Sequence, residues 1–297
     1  MEISSQCVGT RLPDYHLEIS ARQIMNFAAA LEDVNPYFFD DKRSEGIVAP
    51  PMMAVSLTWQ VASRLPEYLE GDVFPPGTFR TQMQYAENLD FHRLIKPGDK
   101  ITIKSEMTAV FPHRLGSLVV FRFRASDQQK RTVFTNCPVG FLKGVMCIDE
   151  GRSLPDVNPN PLAPGLKSVR NKPQWQAPVQ ISPFAPYIYD GCADMSFPVH
   201  TSIAYAHNVG LPNIIVPGTL VLGFSIREIL RREADQNPTL LKRVCCRFPR
   251  PVEPGTQVVV RVLEKKKENG SQHVSFDVIN SDESHVLKNG LIVIKDR

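Results

Sequence analysis

One plan written twice constrains this chain more than any other feature. Phe91-His-Arg-Leu-Ile-Lys-Pro-Gly-Asp99 and Phe248-Pro-Arg-Pro-Val-Glu-Pro-Gly-Thr256 match at an offset of 157, and Val120-Phe121 to Ser126-Asp127 match Ser275-Phe276 to Ser281-Asp282 at an offset of 155. Each repeated stretch follows the same order: a helix, a turn with proline, a long apolar helix, then strands. In the first half Ser20-Ala-Arg-Gln23 is a capping-box pattern, with Ile24, Phe27, Ala28 and Leu31 at helical spacing behind it. Asp33 to Phe38 brings turn chemistry, and Met52–Leu65 reads as a long helix stopped by Pro66. Gln82–Tyr85, Ile101–Ser105, Leu118–Arg124 and Arg131–Phe134 then alternate or are β-branched, as strands are. A long helix followed by an antiparallel meander predicts an α+β layer with the sheet curled around the helix, and the chain as a whole is an internal duplication.

Length agrees, since 297 residues suit two units of about 150. The expected boundaries are 1–150 for one half, a linker over 151–178, and 179–297 for the other. Prolines 155, 159, 161, 164, 173 and 178 favour an extended linker over an element of either core. A formal charge of +3 with scattered basic residues gives no nucleic-acid footprint; Lys265-Lys266-Lys267 reads as a solvated hairpin end. The six cysteines have no C-x-x-C spacing, which points away from zinc and disulfides and toward a reducing compartment. No apolar run reaches the roughly 20 residues of a membrane span, no secretion signal opens the chain, and no Ser-Lys-Leu tripeptide closes it. The expectation is a cytoplasmic protein with no membrane or nucleic-acid partner.

The chemistry concentrates between Asp190 and Leu230. Asp194 offers an acid, His200 a base, and Pro217-Gly218 opens a long apolar helix. A carboxylate and an imidazole exchange protons near neutral pH when burial tunes them. The first amides of a helix lack internal partners, and glycine has no side chain to keep a substrate oxygen from its N–H. An acid, a base and an oxyanion donor are the parts needed for proton chemistry beside a carbonyl. No cluster of metal ligands and no GxGxxG fingerprint accompanies them, so no metal or redox cofactor is expected.

These residues resemble the hydratase motif of the MaoC-like, (R)-specific 2-enoyl-CoA hydratase family: Asp-x-Asn-Pro-hydrophobic-His, a short helix, then Pro-x-x-His-Gly. Pro198-Val199-His200, the helical piece Ser202–Asn208 and Gly218 carry the likeness, and the eighteen positions from His200 to Gly218 match the family's spacing. Two departures stand out: Asp194 lies six residues before His200 instead of five, and Ser196-Phe197 replaces the motif Asn. The resemblance implies a double hot-dog fold, in which one antiparallel sheet wraps two central helices, and a homodimer of whole chains. It also implies a hydro-lyase acting on an acyl-CoA, with coenzyme A entering only as part of the substrate. Asp194 and His200 would hold and deprotonate a water, Ser196 would bind it in place of the Asn amide, and the Gly218 amide would hold the thioester oxygen. In the first half Phe38 stands in the place of His200 and Pro51 in that of Gly218, so this half would lack chemistry and accommodate the acyl group, with Phe38, Met52 and Trp59 as lining. The rival readings are a hot-dog thioesterase, a non-catalytic acyl-binding relic, or a changed reaction on the same site.

Overall fold

The computed structural model describes residues 1–157 and 172–296. In the first half, β1 (Glu2–Ile3) and β2 (Tyr15–Glu18) precede α1 (Ala21–Ala30), α2 (Pro36–Phe39), α3 (Met53–Ala62) and α4 (Leu65–Leu69). Strands β3 (Gln82–Phe91), β4 (Lys100–His113), β5 (Gly116–Ser126), β6 (Thr132–Asn136), β7 (Val139–Lys143), β8 (Met146–Cys147) and β9 (Arg152–Ser153) complete it. The second half runs β10 (Trp175–Gln180), α5 (Ala185–Ala193), α6 (Ile203–Asn208), α7 (Gly218–Glu233), β11 (Leu241–Arg247), β12 (Gln257–Glu268), β13 (Ser271–Asn280) and β14 (His285–Lys295).

Local chemistry explains the entries and exits. Ser20 accepts the Gln23 N–H while the Gln23 side chain accepts the Ser20 N–H, the reciprocal cap expected for α1. Asn35 caps α2 by accepting the Tyr37 N–H. The long helix expected over Met52–Leu65 is instead two: α3 ends at Ala62, and Pro66 sits in the first turn of α4. There its missing N–H costs nothing, because the opening amides of a helix have no internal partner.

Twelve strands join in one sheet, along the path β10-β12-β13-β14-β11-β3-β6-β5-β4-β2, with β7 against β3 and β5, and β9 against β4. The double hot-dog expectation is met, as an antiparallel sheet folded about the two apolar helices α3 and α7. The halves join where β3 and β11 pair antiparallel, from Ala86↔Arg247 to Asp90↔Arg243. One hydrophobic core crosses that seam, holding Phe27, Leu89 and Phe134 with Tyr189, Phe224 and Phe276. The stretch expected as a linker, 151–178, carries a strand toward each end. Arg152–Ser153 pairs with β4, and Trp175–Gln180 is an edge strand on β12, a position that tolerates Pro178. Pro159, Pro161 and Pro164 of that stretch lie outside the described residues.

The two halves also brace each other. Gln60 of α3 donates to the Asp194 carbonyl at the end of α5, 2.7 Å. Arg227 of α7 donates to the Leu31 carbonyl at the end of α1, 2.6 Å. Ser56 of α3 donates to the Ala193 carbonyl, while Gly223 of α7 lets Leu31 pack where a Cβ would stand. Between these braces the Phe27 and Tyr189 rings meet edge to face, 5.7 Å apart.

Candidate active site

After α5 the chain turns through Asp194 in the left-handed region (φ 50°) and enters the tight turn Pro198–His200. The His200 Nδ1 lies 2.8 Å from the Ile215 carbonyl oxygen. A carbonyl can only accept, so Nδ1 carries the proton and Nε2 keeps its lone pair. Burial pushes the His200 pKa below its ordinary value, against the bond to Ile215 and the charge of Asp190, which both raise it. The imidazole is therefore a neutral base with one free nitrogen. One aromatic ring meets it, that of Phe197 at 6.0 Å, and Phe197 in turn lies 6.0 Å from Tyr205 and 5.8 Å from Trp59 of the other half's helix.

Gly218 is the first residue of α7, where amides point out of the helix without internal partners. A Cβ on it would lie 2.7 Å from the Phe248 ring, so glycine is required for that ring to pack on the helix entrance. Beside it Tyr189 donates to the Thr219 hydroxyl, 3.3 Å. The helix N-terminus favours negative charge, and His200 is tethered to Ile215, three residues before Gly218.

Shared hydrogen bonds fix which residues correspond between the halves. Val48 N–H donates to Tyr37 O (2.9 Å) as Ile215 N–H donates to Val199 O (3.3 Å). Ala49 N–H donates to Ile95 O as Val216 N–H donates to Val252 O, both 2.8 Å, and Met53 to Pro50 as Leu220 to Pro217, both 3.0 Å. Phe38 thus stands in the place of His200, and Pro51 in that of Gly218. Upstream, Asp33 N–H donates to Ala28 O (3.1 Å) as Met195 N–H donates to Asp190 O (3.3 Å). Glu32 and Asp194 share the left-handed turn, with φ 49° and 50°. The second half therefore carries no extra residue relative to the first. Met195 occupies the place of Asp33, and Phe197 the place of Asn35.

Asp194 is accordingly not where the sequence expectation put it. It is exposed at the helix end, with its carbonyl held by Gln60. Ser196 is exposed between Met195 and Phe197. Phe38 and Met52 are buried and line a cavity of about 20 Å³ with Asp33, Asn35 and Arg227, room for a single water and not for an acyl chain. Burial raises the Asp33 pKa there, against its bond to the Asn35 N–H and the nearby arginines. Of the expected lining residues, Trp59 meets the ring of Phe197, which in turn meets His200. Asp190, Phe197 and Phe248 were missed.

Residues 6–136 match the model of the FAS1-like dehydratase domain region, and residues 166–285 that of the MaoC like domain. Over 140 residues, 47% of the chain, the sequence is 30% identical to peroxisomal multifunctional enzyme type 2 of Drosophila melanogaster, a stretch covering 23% of that protein. The full-length structure of that enzyme superposes with a TM-score of 0.75 at 19% identity, over 95% of this chain and 48% of the enzyme. A MaoC-like dehydratase from Phytophthora capsici superposes with a TM-score of 0.82 at 16% identity, over 99% and 100% of the two chains. A Mycobacterium tuberculosis protein described as having a double hot-dog fold gives 0.63 at 14% identity, over 97% and 96%. At these identities the structural likeness bears on the fold.

Proposed function

Because the chain belongs to the MaoC-like dehydratase family, with the double hot-dog fold, we propose that it is a hydro-lyase acting on an acyl thioester carried by coenzyme A. The observation that carries this reading is the His200–Ile215 bond, which leaves Nε2 as a free base at the same loop that leads into the α7 amides. In the hydration direction Nε2 takes a proton from water as its oxygen bonds to Cβ of a 2-enoyl thioester. The charge that develops on the thioester oxygen is met by the Gly218 amide, a kind of contact worth about 3 kcal/mol in other enzymes. The imidazolium then returns its proton to Cα, and the base is regenerated; dehydration is the same path reversed.

Catalysis belongs to the second half alone in this reading, since Phe38 accepts no proton and Pro51 has no N–H. Coenzyme A is part of the substrate, and no other cofactor enters. A homodimer of whole chains and a reducing compartment, the cytoplasm by default, complete the proposal; all six cysteines are free thiols. One observation favours a non-catalytic acyl-binding protein instead: Met195 and Phe197 stand where the first half keeps Asp33 and Asn35. Incubation with a series of 2-enoyl-CoA esters separates the readings. Water addition, abolished at least about a hundredfold by His200→Ala, supports the hydro-lyase. Release of free coenzyme A identifies a thioesterase, and binding without turnover a relic.

A further inference from the structure

The two halves keep their carboxylates in different places. In the first half Asp33 lies on the turn and accepts the Asn35 backbone N–H, 3.2 Å. In the second half the residue corresponding to Asn35 is Phe197, and its N–H is accepted by Asp190 Oδ1, 3.3 Å. Two carboxylates from different points of the chain thus converge on the same backbone amide. The exchange is reciprocal: the first half has Ala28 at the place of Asp190, and the second has Met195 at the place of Asp33. Ala28 belongs to one buried cluster with Phe38, which corresponds to His200, and Asp190 holds the backbone of Phe197, whose ring lies 6.0 Å from the imidazole.

We propose that Asp190 has taken over from the acid lost at Met195 and works as the charged partner of His200. The proposal rests on the hydro-lyase reading for its catalytic half. Asp190 acts through His200 and is a positioning residue. Its charge favours the imidazolium formed while Nε2 takes and returns the proton. Burial alone disfavours that ion, and the Ile215 carbonyl supplies a dipole but no charge. The other titratable groups on the surrounding elements are Tyr187, buried Tyr189 and Cys192 of α5, the exposed Asp194, Tyr205 behind Phe197, and His207, whose ring binds the Pro212 carbonyl; α3 presents the uncharged Trp59 and Gln60.

The test compares Asp190→Asn with Asp194→Asn, since Asn still offers an oxygen to the Phe197 N–H and melting temperatures check the fold. His200 is titrated by NMR in each, and kcat and KM are measured across pH on one accepted enoyl thioester. Removing the Asp190 charge lowers the His200 pKa, moves the acidic limb of kcat/KM to lower pH, and reduces kcat by about ten- to a hundredfold with little change in KM. Adding Met195→Asp to Asp190→Asn restores a carboxylate at the turn and recovers part of kcat. An unchanged His200 titration in Asp190→Asn overturns the proposal, as does an effect confined to Asp194→Asn. If the wild-type chain turns over no enoyl thioester, the hydro-lyase reading falls and the NMR titration still decides the pairing.

Discussion

The His200–Ile215 bond fixes more than an orientation. A histidine held by a carbonyl is kept in one tautomer, so the nitrogen left for chemistry is always Nε2. Its lowered pKa keeps it neutral near pH 7, and activity that depends on it should fall only when pH drops below the range of a free imidazole. Gly218 gives a sharper test. In Gly218→Ala the new methyl meets the Phe248 ring at 2.7 Å, an overpacking that should cost about 1–3 kcal/mol in denaturant unfolding. Shortening the ring in Gly218→Ala/Phe248→Leu should recover much of that stability; an equal loss in both variants would show that the ring is not the obstacle. His200 and Gly218 were legible in the sequence because Pro-x-His and Pro-Gly each leave a mark at a fixed separation. Asp190 was not, since a carboxylate on the last turn of a helix looks like any other helix end. Asp194 was misplaced by counting along the chain, where the left-handed turn sets it outward and passes the inward place to Met195.

At the level of elements, the site loop of the second half is held by the helix of the first. Gln60→Ala removes the 2.7 Å bond to the Asp194 carbonyl, a loss of about 1 kcal/mol. Faster amide exchange should appear at the α5 exit and leave the equivalent exit of α1, which Arg227 holds, unchanged. Uniform destabilisation of both exits would mean that the brace is not local. The repeated helix-then-meander order was readable because apolar periodicity survives duplication. The break between α3 and α4 was not, because proline marks a helix start as well as a helix end, and only packing decides which.

The whole molecule carries a titration of its own at the seam. Glu87 of β3 is fully buried opposite Cys246 of β11, and burial raises its pKa to about 8, against hydrogen bonds that include the one from Gln84. The folded chain therefore holds a proton that the unfolded chain releases above about pH 4.5. Its contribution is complete below that value and is lost as pH rises toward 8, by a few kcal/mol. Stability measured from pH 5 to pH 8 should decline in the wild type and decline less in Glu87→Gln; parallel curves would place the proton elsewhere. The same seam predicts that neither half stands alone. Fragments 1–150 and 175–297 would each expose a strand edge and divide one core, so each should aggregate or stay unfolded until mixed. Two fragments that melt cooperatively by themselves would contradict it.

The braces between α3 and α5, and between α7 and α1, bear on the ancestry of the chain. A duplicated sequence is ordinarily free to discard its redundant copy, and mutations accumulate there unopposed. Here the first copy has Phe38 and Pro51 where the second has His200 and Gly218, yet Ser56, Gln60 and Trp59 on its central helix support the loop that carries His200 in the second. Under the proposed hydro-lyase reading, selection on the second copy's loop therefore reaches into the first. The central helix of the first copy is thus tied to the loop of the second, and the two copies cannot diverge independently there.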